Sequence, residues 1–179
     1  ELEQLDMAVK SYEKAIAIEP DYSKAHFNLG CTLLDLGQLD ASTKSFEKAL
    51  VIKPDYADAH SNLGVTLQEL GQLDAAVKSY EQALAIKPNY ADAHSNLGNT
   101  LKELGQLEAA VKSYEQALAI KPDYAEAHSN LGNTLNDLGQ PEEAVKSYEQ
   151  ALAINPDFAE AQCNLGNTLK ELGQLEAAV

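Results

Sequence analysis

Asparagine recurs at a constant interval, at Asn28, Asn62, Asn96, Asn130 and Asn164. A primary amide carries N–H donors and a C=O acceptor together. A row of such side chains can therefore grip the backbone of an extended peptide without reading its side chains. Each hydrogen bond of this kind contributes about 0.5–1.5 kcal/mol net. Several modest contacts then give broad, sequence-tolerant recognition once the cost of association is subtracted. The same amides can instead bond a neighbouring helix and brace the protein, and the two roles are compatible. A second polar column holds Asn99, Asn133 and Asn167, with Cys31 and Val65 in the earlier places, and Ser61, Ser95 and Ser129 flank the first column. Around Asn28 the neighbours become Phe27 and Cys31, and Cys163 stands beside Asn164, yet the asparagine stays. That persistence favours binding over bracing alone.

Other reactive residue types form no constellation. His26, His60, His94 and His128 recur at the same interval as the asparagines. Packed helices lie roughly 8–10 Å apart, and one zinc ion needs several ligands within about 2.0–2.2 Å. One histidine per repeat cannot meet that, so the histidines are expected to pack between helices with a bonded polar edge. No metal, cofactor or catalytic residue is expected. Cys31 and Cys163 are far apart in sequence and read as free thiols, which fit a reducing compartment such as the cytoplasm.

The elements that carry these columns follow from the same period. Pro20, Pro54, Pro88, Pro122 and Pro156 share it, and Ala57–Tyr90 matches Ala91–Tyr124 except at Val65/Asn99, Gln68/Lys102, Asp74/Glu108 and Asn89/Asp123. Each repeat reads as two helices, the first from about Ala57 to Leu70 and the second from Asp74 to Ile86. Leu63, Leu67 and Leu70, then Val77, Tyr80 and Leu84, recur at helical spacing. Gly71 suits a left-handed helix stop. Pro88 keeps the residue before it out of helical geometry. The Asp or Asn after each such proline, Asn89 for example, is placed to cap the next helix. Pro141 is harmless at a first helical position. Gly30, Gly64, Gly98, Gly132 and Gly166 fall mid-helix, where each costs about 1 kcal/mol relative to alanine. Close approach of a neighbouring helix would offset that cost. Ala76, Ala110 and Ala144, Ala83, Ala117 and Ala151, and Tyr80, Tyr114 and Tyr148 are the matching residues of the second helix. Tyr22, Tyr56, Tyr90, Tyr124 and Phe158 are placed to pack between successive repeats.

Leu63-Gly64, Tyr80, Ala76, Ala83 and Pro88 together resemble the tetratricopeptide repeat family, over the whole chain. The histidine column departs from it, since the family often has a large apolar residue there. The resemblance implies an all-α solenoid, a right-handed superhelix of antiparallel helix hairpins with the first helices lining a concave face. It also implies that the Asn28 to Asn164 column projects into the groove. Full repeats are expected at 23–56, 57–90, 91–124 and 125–158 of a single array, with half a repeat at 1–22 and a partial one at 159–179. Neither end carries a polar cap, so the sequence reads as an excerpt of a longer array. The Asn-Leu-Gly-Asn-Thr-Leu segments beginning at Asn96, Asn130 and Asn164 resemble the repeat arm of protein O-linked N-acetylglucosamine transferases.

Three functions follow as expectations. The first is a protein-interaction scaffold that takes extended peptides in an asparagine-lined groove. The second is the substrate-recognition arm of a larger enzyme such as a glycosyltransferase. The third is a module that assembles end to end through complementary half hairpins. The net charge of −15, with every basic residue a lysine, disfavours nucleic acid and anionic membrane and suits a neutral to basic peptide. Asp58, Asp92, Glu126 and Glu160 would edge the groove, though acids in a first helical turn also complement the helix dipole. A clamp for a C-terminal carboxylate is not expected, because arginine is absent and Lys24 is the sole comparable first-turn lysine.

Overall fold

The structure, a computed structural model, describes residues 2–173. Among them ten helices follow in order: α1 (Leu2–Ile18), α2 (Ser23–Asp35), α3 (Leu39–Ile52), α4 (Ala57–Glu69), α5 (Leu73–Ile86), α6 (Ala91–Glu103), α7 (Leu107–Ile120), α8 (Ala125–Asp137), α9 (Pro141–Ile154) and α10 (Ala159–Glu171). The fold is all-α, with no strand among the described residues. No helix among them is long and apolar enough to cross a membrane. The end of the partial repeat expected at 159–179 lies outside the described residues.

The chain divides after Pro88 into two compact units. In the first, α2 pairs with α3 and α4 with α5, while α1 packs on α2 and α3 on α4. In the second, α6 pairs with α7 and α8 with α9, while α7 packs on α8 and α9 on α10. Within each unit the first helices of successive hairpins also touch: α2 meets α4, α6 meets α8, and α8 meets α10. Each unit is thus a solenoid-type stack whose first helices share one face.

Local sequence sets these boundaries. The first helices end on a glycine at positive φ, such as Gly71 at 71°. Gly71 N–H donates to Gln68 O and Gln72 N–H to Leu67 O, each at 2.8 Å. This is the Schellman pattern, which satisfies carbonyls that the helix leaves open. The second helices end one residue before Lys87 or its equivalent, which the following proline pushes out of helical geometry. Pro141 opens α9. The starts of the first helices correct the sequence reading. The N-cap residues are Tyr22, Tyr56, Tyr90, Tyr124 and Phe158, none with a side-chain cap, so Asn89 does not fill that role. The aromatic ring is used for packing instead. Tyr56 lies 4.8 Å from Phe27, and Lys53 and Lys121 sit over the rings of Tyr56 and Tyr124 at 4.7 and 4.2 Å.

Four of the mid-helix glycines are explained by the aromatic of the same hairpin. A Cβ on Gly30 would stand 2.7 Å from the Phe46 ring, and Cβ atoms on Gly64, Gly98 and Gly132 would stand 2.7 Å from the rings of Tyr80, Tyr114 and Tyr148. Those rings are almost wholly buried, and Ala83, Ala117 and Ala151 beside them are fully buried. Burying such a side chain contributes about 1.5–3 kcal/mol, which exceeds the helix cost of the glycine it faces. Around Tyr148 the core gathers Leu135 and Ala144, with Val111, Leu131 and Leu165 packed against them.

Candidate functional site

The asparagine column lies on the first helices and is half-buried at every place, on α2, α4, α6, α8 and α10. Its backbone is held by the helix itself. Thr32, Thr66, Thr100, Thr134 and Thr168 donate their hydroxyls to the carbonyls of Asn28, Asn62, Asn96, Asn130 and Asn164 at 2.8–3.0 Å. One turn further on stand Cys31, Val65, Asn99, Asn133 and Asn167. Asn99 and Asn133 are half-buried, whereas Asn167 is exposed with its Nδ2 3.9 Å from Cys163 Sγ.

In the second unit the two columns are joined across adjacent first helices. Asn130 Nδ2 donates to Asn99 Oδ1 at 3.0 Å, and Asn164 Nδ2 donates to Asn133 Oδ1 at 2.8 Å. Tyrosine hydroxyls from the second helices reach the same oxygens, Tyr114 to Asn99 at 2.7 Å and Tyr148 to Asn133 at 2.8 Å. In the first unit the equivalent link is weak, with Asn62 Nδ2 3.5 Å from Cys31 Sγ. Asn130 and Asn164 therefore brace the stack of the second unit. The bond uses one N–H of Asn164, and an amide has a second N–H and an oxygen besides.

Those remaining groups border a groove of about 380 Å³ between α8 and α10. Asn133, Asn164 and Asn167 line it with Asn136, Lys102, Asp137, Glu171, Tyr148 and Thr168. Lys102 Nζ lies 3.2 Å from Asp137 Oδ2 at its rim. Three of the singled-out asparagines thus meet in one cavity. Asn130 and Asn99 form the equivalent pair one hairpin earlier in the unit, and Asn96 occupies the matching place on α6. Sequence reasoning missed Lys102 and Asn136, which lie three residues beyond Asn99 and Asn133. That is one helical turn along the same face, so helical spacing carries the signal. The tyrosine contacts to the amides were also missed, because those rings read as core.

Burial sets the chemistry of the nearby hydroxyls and thiol. Burial, with the carboxylates of Asp137, Glu160 and Glu171 adding to it, pushes Tyr148 up to about 12. Burial pushes Tyr114 higher still. Both hydroxyls therefore keep their protons and act as donors at neutral pH. Burial and Asp35 push the Cys31 thiol up to about 11, which makes it a packed group rather than a nucleophile. Tyr124 is raised by burial and by Asp92 beside it.

The histidines serve the turns. Nε2 of His26, His60 and His128 lies 2.9–3.0 Å from the carbonyls of Pro20, Pro54 and Pro122. The small polar ring thus ties down the loop carbonyl six residues back, a role a large apolar side chain cannot fill. No cluster of possible metal ligands occurs among the described residues. Of the acidic column, Asp58 lies in the first turn of α4, 3.8 Å from Lys87 in a largely exposed pair.

Comparison with known proteins matches the TPR repeat family over residues 1–37, 32–71, 66–105, 98–139 and 132–173. No curated protein matches the chain. Among solved structures, MamA has a TM-score of 0.81 at 28% identity, covering 87% of this chain and 91% of that one. The pilF protein of Pseudomonas aeruginosa has a TM-score of 0.80 at 26% identity, covering 87% of this chain and 71% of its own. YrrB, described as a TPR protein with an unusual peptide-binding site, has a TM-score of 0.80 at 23% identity, covering 96% and 88%. With its hairpins, its glycine–aromatic contacts and these matches over five successive segments, the chain belongs to the TPR repeat family.

Proposed function

We propose that the chain is a protein-interaction scaffold that takes extended peptide segments on the shared face of its first helices. The observation that carries this reading is the groove of the second unit, where Asn133, Asn164 and Asn167 converge. Stacked helical repeats characteristically offer extended surfaces of this kind. Amide groups match a peptide backbone in both donor and acceptor, so they give affinity that is tolerant of sequence. The net charge of −15, with Asp137 and Glu171 at the groove, favours neutral to basic segments. No catalytic step belongs to this reading.

Bracing and binding separate in one experiment. Asn96, Asn130 and Asn164 are replaced together by alanine, and binding to an array of extended peptides is measured alongside the urea midpoint. Loss of binding by tenfold or more, at a protein concentration and temperature where the variant stays folded, is the expected result. Undiminished binding, with only a lower midpoint, would assign the asparagines to bracing and sink the proposal.

A further inference from the structure

A carbonyl oxygen has two lone pairs. In the second unit both are occupied on two asparagines of the shared face. Asn133 Oδ1 receives the Tyr148 hydroxyl at 2.8 Å and Asn164 Nδ2 at 2.8 Å. Asn99 Oδ1 receives the Tyr114 hydroxyl at 2.7 Å and Asn130 Nδ2 at 3.0 Å. The opposite orientation would aim each Asn NH₂ at the tyrosine oxygen. It would also set the Asn133 NH₂ against the Asn164 NH₂, and the Asn99 NH₂ against the Asn130 NH₂, two donors face to face.

The first unit provides an internal contrast. Position 31 is Cys, and the aromatic opposite it is Phe46, which has no hydroxyl. Position 65 is Val, and the Tyr80 hydroxyl is 3.4 Å from Gln68 Oε1. The paired tyrosine and asparagine therefore belong to the second unit.

From this geometry we infer that Tyr114 and Tyr148 are positioning residues that fix the polarity of the groove. They hold Asn99 and Asn133 with Nδ2 toward a ligand, so that this column receives main-chain carbonyl oxygens. The Oδ1 atoms of Asn130 and Asn164, whose Nδ2 groups are engaged, receive main-chain N–H groups. A ligand is then read as an extended peptide with its C=O groups toward one column and its N–H groups toward the other. The inference rests on the peptide-binding reading above and adds a direction to it.

The test uses the whole chain labelled with nitrogen-15 and follows the side-chain NH₂ signals of Asn133 and Asn164. The probe is an Ala-Lys-Ala-Lys-Ala-Lys peptide, acetylated and methylamidated at its ends. In the unaltered protein the peptide should move the Asn133 Nδ2 protons downfield. Tyr148→Phe keeps the ring against Gly132 and removes only the hydroxyl. It should weaken binding about threefold to tenfold, the loss of one oriented hydrogen bond, and abolish most of the Asn133 shift. Tyr80→Phe, opposite Val65, should leave both unchanged, and Tyr114→Phe repeats the measurement at Asn99 should Tyr148→Phe disturb the backbone signals of α8 and α9. An Asn133 shift and affinity that survive Tyr148→Phe and Tyr114→Phe overturn this inference while leaving the groove a peptide site. No movement of any groove amide in the unaltered protein overturns the peptide reading and, with it, this one.

Discussion

Single polar atoms show where the repeats depart from a self-consistent pattern. Thr43 Oγ1 and Ser129 Oγ are buried without a hydrogen-bond partner. The places equivalent to Thr43 hold Val77, Val111 and Val145, of nearly the same shape but without the hydroxyl. Thr43→Val should therefore stabilise the protein by about 1–2 kcal/mol, the cost of an unpaired buried hydroxyl. Ser129 has a different origin. Ser95, its equivalent, interacts with the Tyr124 hydroxyl, and the residue in the place of Tyr124 beside Ser129 is Phe158. Phe158→Tyr restores the missing hydroxyl and should add about 1 kcal/mol. Urea denaturation of the two variants checks both signs, and a loss of stability in either would contradict the account of that site. Neither orphan was legible in advance, because a pairing such as Ser95 with Tyr124 joins distant parts of the chain. The stacking of helices fixes it, and local spacing does not. The histidines were legible as bonded packing residues, but their partner, a proline carbonyl six residues back, needed the turn geometry.

At the scale of the helix, propensity and packing pull in opposite directions. An exposed mid-helix glycine gains about 1 kcal/mol when changed to alanine. At Gly132 the new methyl would meet the Tyr148 ring at 2.7 Å, and that ring is 2% exposed, so it has nowhere to go. Overpacking costs about 1–3 kcal/mol, so packing wins. Gly132→Ala should destabilise the protein by about 1–2 kcal/mol, measured as faster amide hydrogen exchange in α8 and α9. Slower exchange would mean that the ring yields and that helix propensity governs the position. Helix type and extent were legible because apolar period, glycine stop and proline break agree in every repeat. The predicted first helix, Ala57 to Leu70, is observed as Ala57–Glu69, with Leu70 as its C-cap. Capping was misread at Asn89 because an amide after proline is a strong local signal, while the N-cap place is taken by Tyr90, whose equivalents Tyr56 and Tyr124 pack in the stack. Tertiary contact outweighs a cap of about 1 kcal/mol.

At the scale of the molecule, the repeat period made the fold readable, since one hairpin sequence is written out several times. The recurrence of asparagine on the first helices was readable for the same reason. What the sequence could not weigh was how much of each amide the stack itself consumes. In the second unit the donor bonds from Asn130 and Asn164 and the tyrosine bonds at Asn99 and Asn133 consume part but not all of that capacity. The account therefore depends on the groups left over at the groove between α8 and α10. A crystal structure of the chain with a bound basic peptide selected from an array tests this most directly. The account predicts an extended main chain in that groove, within about 3.2 Å of Asn133 Nδ2 and Asn164 Oδ1. A peptide seated on the second helices, or held in the groove through its side chains alone, would contradict it.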